Sequence, residues 1–390
     1  MHLIWLPFRG SVKTTLTTTT MSLAQELIDS ILDEVNDFAS LKTCSLVASS
    51  FRCRSQRILY RRVRLLDNYG PIRALLHDSP RIASYIEQLD IHLPSRGELY
   101  WTKEHLRMIL ETYKLANVRR CLLRDSGWAS SHLILTEMSA ALIEFLSRQS
   151  LSELILTSLY DIPVHLFLRF FAFAPKVQLC DIRIGSTEVM PIASHSGPQL
   201  LVVASKCDSV CDLFLRPRFL PYLASLRSLA ITPDPNSDEL QLISNVCSTL
   251  HHLHLFRPMG IPTLPFSFRQ LRSVQFDFEL HVLTWEWECI SHFVAPTSCP
   301  RLQKIIFHAT FWAQLSVDRE LLDLLDAALA THPGRPCMTW IMHPVEFGTS
   351  VVGRLGSFSD WVSAVHGWMP KTLADDRLVV EVDGDVTRVA

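Results

Sequence analysis

The sequence predicts an α/β chain in two parts: a small all-α head, then a long stack of strand–helix repeats ending in a C-terminal cap. Three observations predict it. Apolar residues recur at the 3.6-residue helical period between positions 22 and 65. An L-x-x-L-x-L spacing then recurs between 80 and 317. Finally, the 390 residues are 48% hydrophobic and only 19% charged, too long for one compact core and too apolar for disorder.

The first 21 residues, "MHLIWLPFRGSVKTTLTTTTM", hold no acid and are expected to be a disordered tail. Ser22 and Gln25 have capping-box spacing, which places a helix start at Ser22. Leu27, Ile28, Ile31, Leu32 and Val35 then share one helical face, with Glu26, Asp29, Asp33 and Glu34 on much of the other. "NDF" at 36–38 breaks this helix. Ser40 is expected to cap a second, with Leu41, Cys44, Val47, Ala48 and Phe51 on its apolar side. A third is expected through Ile58 and Leu59, carrying six arginines between 52 and 64. Helices this small bury little alone, so the head is expected to need a partner surface.

Beyond position 80 the spacing reads Ile86-Leu89-Ile91, Val118-Cys121-Leu123, Leu151-Leu154-Leu156 and Val177-Cys180-Ile182. It continues as Leu226-Leu229-Ile231, Leu250-Leu253-Leu255, Leu271-Val274-Phe276 and Leu302-Ile305-Phe307, with "PQLLVVAS" at 198–205 as a degenerate ninth copy. Each copy is expected to be a strand whose second and third apolar residues point inward. Helix-length segments such as "EMSAALIEFLSRQS" and "SDELQLISNVCST" lie between copies. One strand and one helix every 21 to 33 residues is the pattern of a leucine-rich solenoid. An ordinary α/β domain with leucine-rich strands is the alternative, but no phosphate-binding loop follows any strand. Residues 318–390, with "DRELLDLLDAALATHP" and a final "RLVVEV", are expected to form the cap that closes the stack.

Several function classes fall away on composition. The net charge of −2 argues against whole-protein attraction to nucleic acid or anionic membrane. The arginines at 52–64 have no aromatic interleaving for base stacking, so no nucleic-acid partner is expected. The most apolar stretch, "PVHLFLRFFAFAP" at 163–175, contains Arg169 and is bounded by prolines, as in a buried helix rather than a membrane span. Ten scattered cysteines without a secretory signal imply a reducing compartment, cytosol or nucleus. Cys207, Cys211, Cys247 and His251 have spacings seen in zinc sites, yet buried thiols and surface imidazoles account for them better, and no metal or cofactor is expected. No nucleophile elbow, dinucleotide fingerprint or H-E-x-x-H occurs, so no catalytic residues are assigned.

Residues 22–65 resemble the F-box, the three-helix module that docks adaptors on the Skp-type linker subunit of cullin-RING ubiquitin ligases. Leu23, Glu26, Leu27, Ile28, Ile31 and Val35 fit the places of that family's first helix. Leu41, Cys44 and Val47 fit its second, with Phe51 where a Trp is usual and Ala24 where a Pro is usual. The likeness covers about 40 of the 390 residues. An F-box-like head before leucine-rich repeats is similar to the order found in substrate adaptors. The resemblance therefore implies that these ten residues contact the linker subunit while the repeats hold an unknown protein target. A leucine-rich scaffold without ligase docking is the alternative.

The residues alternating with the inward ones are expected on the concave face of such a stack. Gln88, Asp90, Arg120, Glu153, Asp181 and Arg183 fall there in the first half. Ser228, His252, His254, Phe256, Gln275, Asp277, Lys304 and His308 follow in the second. Arg120, Asp181, Arg183, His252, His254, Phe256, Lys304 and His308 are the expected target contacts, with histidines gathered around an exposed aromatic.

Overall fold

The structure, a computed structural model, describes residues 24–66, 69–93, 100–125, 132–185, 197–204, 206–233, 238–257, 267–279, 290–291, 293–310, 319–343 and 358–382. The tail expected at 1–21, Ser22 and Leu23 lie outside these residues. The chain divides between Arg61 and Arg62 into two units.

The first unit holds three helices, α1 (Gln25–Asp33), α2 (Phe38–Val47) and α3 (Ser49–Leu59). Ile28, Leu32 and Leu41 form its core, with Val35, Cys44, Phe51, Ile58 and Leu59 packed against them. The helix starts differ from those expected. α1 begins at Gln25, whose side chain donates to Asp29 Oδ1 (2.8 Å) and Ser50 O (2.9 Å) and so is spent on its own helix and on α3. α2 is capped by Asp37 rather than Ser40: the carboxylate accepts the Ser40 N–H at 2.7 Å. An anion suits the positive end of a helix better than a hydroxyl, and these hydrogen bonds from Ser40 hold the Asp37 carboxyl below its usual range. Arg54 Nε meets Asp33 Oδ1 at 2.7 Å, tying α3 to α1. Only part of the arginine cluster is helical, because α3 ends at Leu59 and Arg62 and Arg64 enter a strand.

The second unit alternates strand and helix in a solenoid-like α/β architecture. In chain order it contains β1 (Arg62–Leu65), α4 (Gly70–Asp78), β2 (Gln88–Leu93), α5 (Tyr100–Thr112), β3 (Arg120–Asp125) and α6 (His132–Ser147). Next come β4 (Glu153–Ile162), α7 (Val164–Phe171), β5 (Lys176–Ile184), β6 (Leu200–Val203), α8 (Asp208–Leu215), β7 (Ser228–Ile231) and α9 (Asp238–Val246). Then follow β8 (His252–Phe256), β9 (Ser273–Glu279), β10 (Lys304–Thr310), α10 (Arg319–Thr331), β11 (Cys337–His343), α11 (Phe358–Trp368), α12 (Pro370–Ala374) and β12 (Leu378–Val382). The twelve strands form one parallel sheet in sequence order. Each crossover moves one strand in the same direction, and crossovers between parallel strands are right-handed, so the helices fall on one face. Among the described residues the other face is left without them.

The register aligns two apolar ladders across the sheet. One runs Val63, Leu89, Cys121, Leu154, Val177, Leu201, Leu229, Leu253, Val274, Ile305 and Met338. The other runs Leu65, Ile91, Leu123, Leu156, Leu179, Val203, Ile231, Leu255, Phe276, Phe307 and Trp340. All are buried. Near its C-terminal end the second ladder turns aromatic, with ring centroids 5.4 Å apart for Phe276–Phe307 and 4.8 Å for Phe307–Trp340. Gly197 leads into β6 so close to the next turn that a Cβ would sit 1.7 Å from Tyr222 O, so no side chain fits there.

Three sequence expectations change here. The sheet begins at β1, ahead of position 80. The segment 318–390 adds two further strands, β11 and β12, to the same sheet. The copy framed as Val177-Cys180-Ile182 is out of frame: Val177 and Leu179 point inward and Cys180 does not, so the matching triplet is Ala174-Val177-Leu179. The expected buried helix at 163–175 is α7, with six of its eight residues buried. No helix among the described residues is long and apolar enough to cross a membrane.

At the far end, buried Asp326 of α10 accepts the backbone N–H groups of Lys371 and Thr372 (both 2.8 Å) and the Thr372 hydroxyl (2.6 Å). Removing the acceptor strands buried donors, so Asp326→Ala is expected to cost about 3 kcal/mol, read as a lower urea midpoint by tryptophan fluorescence. Nearby His332 is also buried, and burial, opposed by the Cys299 carbonyl, holds its imidazole below the usual value. A lowered folded pKa means the unfolded chain binds the proton first. The contribution of His332 is thus full above the unfolded pKa of about 6.5 and is lost as pH falls towards the lower folded value. His332→Asn is expected to flatten the acid limb of melting temperature against pH.

Candidate functional site

With both ladders turned to the helices, the alternate residues of each strand face the helix-free side. The register groups the second-half residues tightly. His252, Ser273 and Lys304 share one row, His254, Gln275 and Ile306 the next, and Phe256, Asp277 and His308 the third. His254 Nε2 lies 2.9 Å from Asp277 Oδ1 and 3.1 Å from Gln275 Nε2. Its ring centroid is 4.0 Å from that of Phe256 and 6.5 Å from that of His308. Partial burial, with His251 and Arg272 nearby, holds the His252 imidazole below its usual value. This is an aromatic and imidazole surface with a fixed carboxylate, a chemistry suited to gripping a partner's side chains.

The first-half residues are spent within the chain. Arg120 Nε and Lys176 Nζ both pair with Glu153, at 2.7 and 2.8 Å. Arg62 Nη2 lies 2.7 Å from Asp90 Oδ2. Asp181 and Arg183 do not continue the outward row. β4 and β5 shift register between Leu159 and Ile162, and Ser158, Asp161 and Asp181 take positive φ values of 52°, 55° and 55°. In this bulged ribbon Tyr160 donates to the Asp181 carboxylate, and Arg183 holds Asp161 through Nε (2.9 Å) and Nη2 (3.0 Å). That hydrogen bond to Asp181, with burial, pushes the Tyr160 phenol up.

Two features escaped the sequence reading. Leu122, Ile155, Val202 and Ala230 share the His254 row with Gln178, so the middle of the helix-free face is uncharged and largely apolar. Framing every copy by its strand would have exposed them. The second is the N-terminal rim of β7–β10. The segments leading into these strands, 214–229, 244–252, 267–274 and 295–305, hold seven arginines and lysines and no Asp or Glu. Net charge hides this local excess.

In the head, the nine described residues among the ten matched to the resemblance separate by exposure. Ile28 and Leu41 are core, and Val35, Cys44 and Phe51 pack on it. Glu26 is exposed, as are Leu27 (55%), Ile31 (58%) and Val47 (69%), joined by Phe38 and Leu46 outside the matched set. Leu27 and Ile31 are one helical turn apart on α1.

The Cys/His set spreads over separate elements. Cys207 precedes α8, Cys211 lies within it, Cys247 follows α9, and the His251 ring contacts Thr249 O at 3.0 Å. Among the described residues no three His, Cys, Asp or Glu side chains are grouped to hold a metal ion. No protein-family model matches the chain, and no curated protein matches it.

Burial pushes the Cys207 and Cys299 thiols up to about 12 and raises Cys211 as well, so these sulfurs stay protonated. Native protein treated with iodoacetamide at pH 8 is expected to show alkylation of exposed Cys53 and none at Cys207, Cys211 or Cys299 until denaturant is added. Peptide mass spectrometry reads the outcome.

Proposed function

We propose that the chain is a non-catalytic recognition adaptor: the head docks on a partner and the helix-free sheet face holds a protein target. The observation that carries this reading is the exposure of Leu27, Ile31, Leu46 and Val47, large apolar side chains that the head's own core does not use. At roughly 25 cal/mol per Å² such side chains reward burial against another surface. With the F-box resemblance, the proposed partner is the Skp-type linker subunit of a cullin-RING ubiquitin ligase. The adaptor then acts by raising the effective concentration of target near the conjugating enzyme, with no chemistry of its own. A leucine-rich scaffold without ligase docking is the second reading. Ala24 and Phe51, where the family carries Pro and Trp, favour it.

Ile31→Asp with Val47→Asp tests docking without touching the core, because both side chains are exposed. The double variant is expected to keep its far-UV circular dichroism and lose co-purification of the linker subunit. Undiminished co-purification would remove the ligase assignment. On the sheet, His254→Glu with Phe256→Ala is expected to weaken target capture in a pull-down after proteasome inhibition by tenfold or more, while linker binding persists. Capture unchanged in that variant moves the target site off β8–β10.

A further inference from the structure

The N-terminal rim of β7–β10 carries cations that the sheet does not neutralise. Arg227, His251, Arg272 and Gln303 occupy one position, each just ahead of its strand. Backbone bonds lock them side by side: His251 N to Arg227 O at 2.7 Å, Arg272 N to His251 O at 2.8 Å, and Gln303 N to Arg272 O at 2.8 Å. Lys304 opens β10 one residue further on, in the row of His252 and Ser273. Arg227, Arg272 and Lys304 are exposed, as are Arg269 and Arg301 beside them. Arg216, early in the first segment, pairs with Asp212 at 2.6 Å, but nearer the strands the contacts on this rim are to neutral groups: Arg227 Nη1 to Thr249 O at 3.5 Å and Arg301 Nη1 to Gln270 Oε1 at 2.7 Å. Its four lead-in segments contain no acid. The rim of β3–β5 is built in the opposite way, with Glu153 neutralising both Arg120 and Lys176.

We propose that this rim binds an acidic, extended stretch of a protein partner, whose carboxylate or phosphate side chains meet Arg227, Arg272 and Lys304. The inference deepens the recognition reading above, since it names the target's chemistry, and it rests on that reading for the occupant being a protein. Adjacent strands lie about 4.8 Å apart, so the three intervals from β7 to β10 span about 14 Å, the length of roughly four extended residues. Among the described residues Arg227, Arg272 and Lys304 form no ion pair, so they gain from an incoming anion without first breaking one. Single-stranded nucleic acid fits less well, because stacking needs exposed rings among the cations. The Phe and Tyr rings of the lead-in segments, Phe214, Phe219, Tyr222 and Phe268, are buried.

The test is fluorescence anisotropy on the full chain with three labelled probes of matched length. These are an alternating Glu-Gly decapeptide, its phosphoserine-Gly counterpart and a ten-residue oligothymidylate. Both peptides are expected to bind, and raising the salt to 0.5 M is expected to weaken them at least tenfold. Arg227→Glu with Arg272→Glu is expected to do the same, and the milder Arg227→Gln with Arg272→Gln guards against misfolding by showing a smaller loss in the same direction. Stronger binding of one peptide assigns carboxylate or phosphate as the source of charge. No binding of either peptide, equal binding by the charge-reversed chain, or tighter binding of the oligonucleotide overturns the proposal. If the peptides fail while capture still depends on His254 and Phe256, this inference falls and the recognition reading stands. If capture depends on neither pair, the recognition reading falls as well.

Discussion

Most strands of the sheet begin beside a carbonyl that accepts two N–H groups from the strand after it. Glu87 O takes Arg119 and Arg120, Arg119 O takes Ser152 and Glu153, and Arg272 O takes Gln303 and Lys304. One offset, repeated, fixes the register, and the register decides everything about the faces. A slip of one residue would turn each ladder outward and expose every leucine in it. Because the two ladders stay in register from β1 to β11, Val63 and Leu65 stand in line with Met338 and Trp340, and no repeat has to bury its apolar residues alone.

The same constraint separates the face that holds the core from the face that does not. Right-handed crossovers commit the helices to the ladder side, which leaves the alternate residues free of the core. Their differences along the sheet then become functional options. Towards the first edge, Arg62 with Asp90 and Arg120 with Glu153 close their own charges. In the middle, Ile155, Gln178 and Val202 make an uncharged, largely apolar stretch. Beyond it, His254, Phe256 and Asp277 gather over a core that has turned from aliphatic to aromatic at Phe276 and Phe307. The bulged ribbon at Tyr160 and Asp181 marks where the long strands β4 and β5 outrun their neighbours. Positive φ at three non-glycine residues there costs conformational energy that the Tyr160–Asp181 and Arg183–Asp161 contacts help to offset.

Much of this architecture was legible in the sequence, and the failures have physical causes. The spacing found most strands because two inward residues per strand must be apolar. It missed β1, whose four residues leave room for little more than Val63 and Leu65, and it left β11 and β12 outside the repeats. It misframed β5, since Val177 and Ile182 are both buried although five positions apart, the alternation between them being broken at Asp181 with its positive φ, which no spacing rule anticipates. Asp181 and Arg183 were accordingly expected on the open row and instead hold the ribbon together. The histidine group on β8 and β10 was readable because strict alternation holds there without a bulge. Arg227 and Arg272 were invisible to whole-chain charge, because their acids sit elsewhere and only the strand register brings their rim into line.

The head follows a different logic, with Ile28, Leu32 and Leu41 closing a minimal core and Ile31 and Val47 left over. Both units thus present surfaces that their own folding does not consume, and the account stands or falls on the alternation that creates the larger one. Hydroxyl-radical footprinting of the native chain, read residue by residue by mass spectrometry, tests that alternation directly. The account predicts rapid oxidation of His252 and Phe256, with Phe276, Phe307 and Trp340 protected until the protein is unfolded. Labelling of Phe276 and Phe307 as fast as Phe256 would contradict it, since the ladder would then not face the helices.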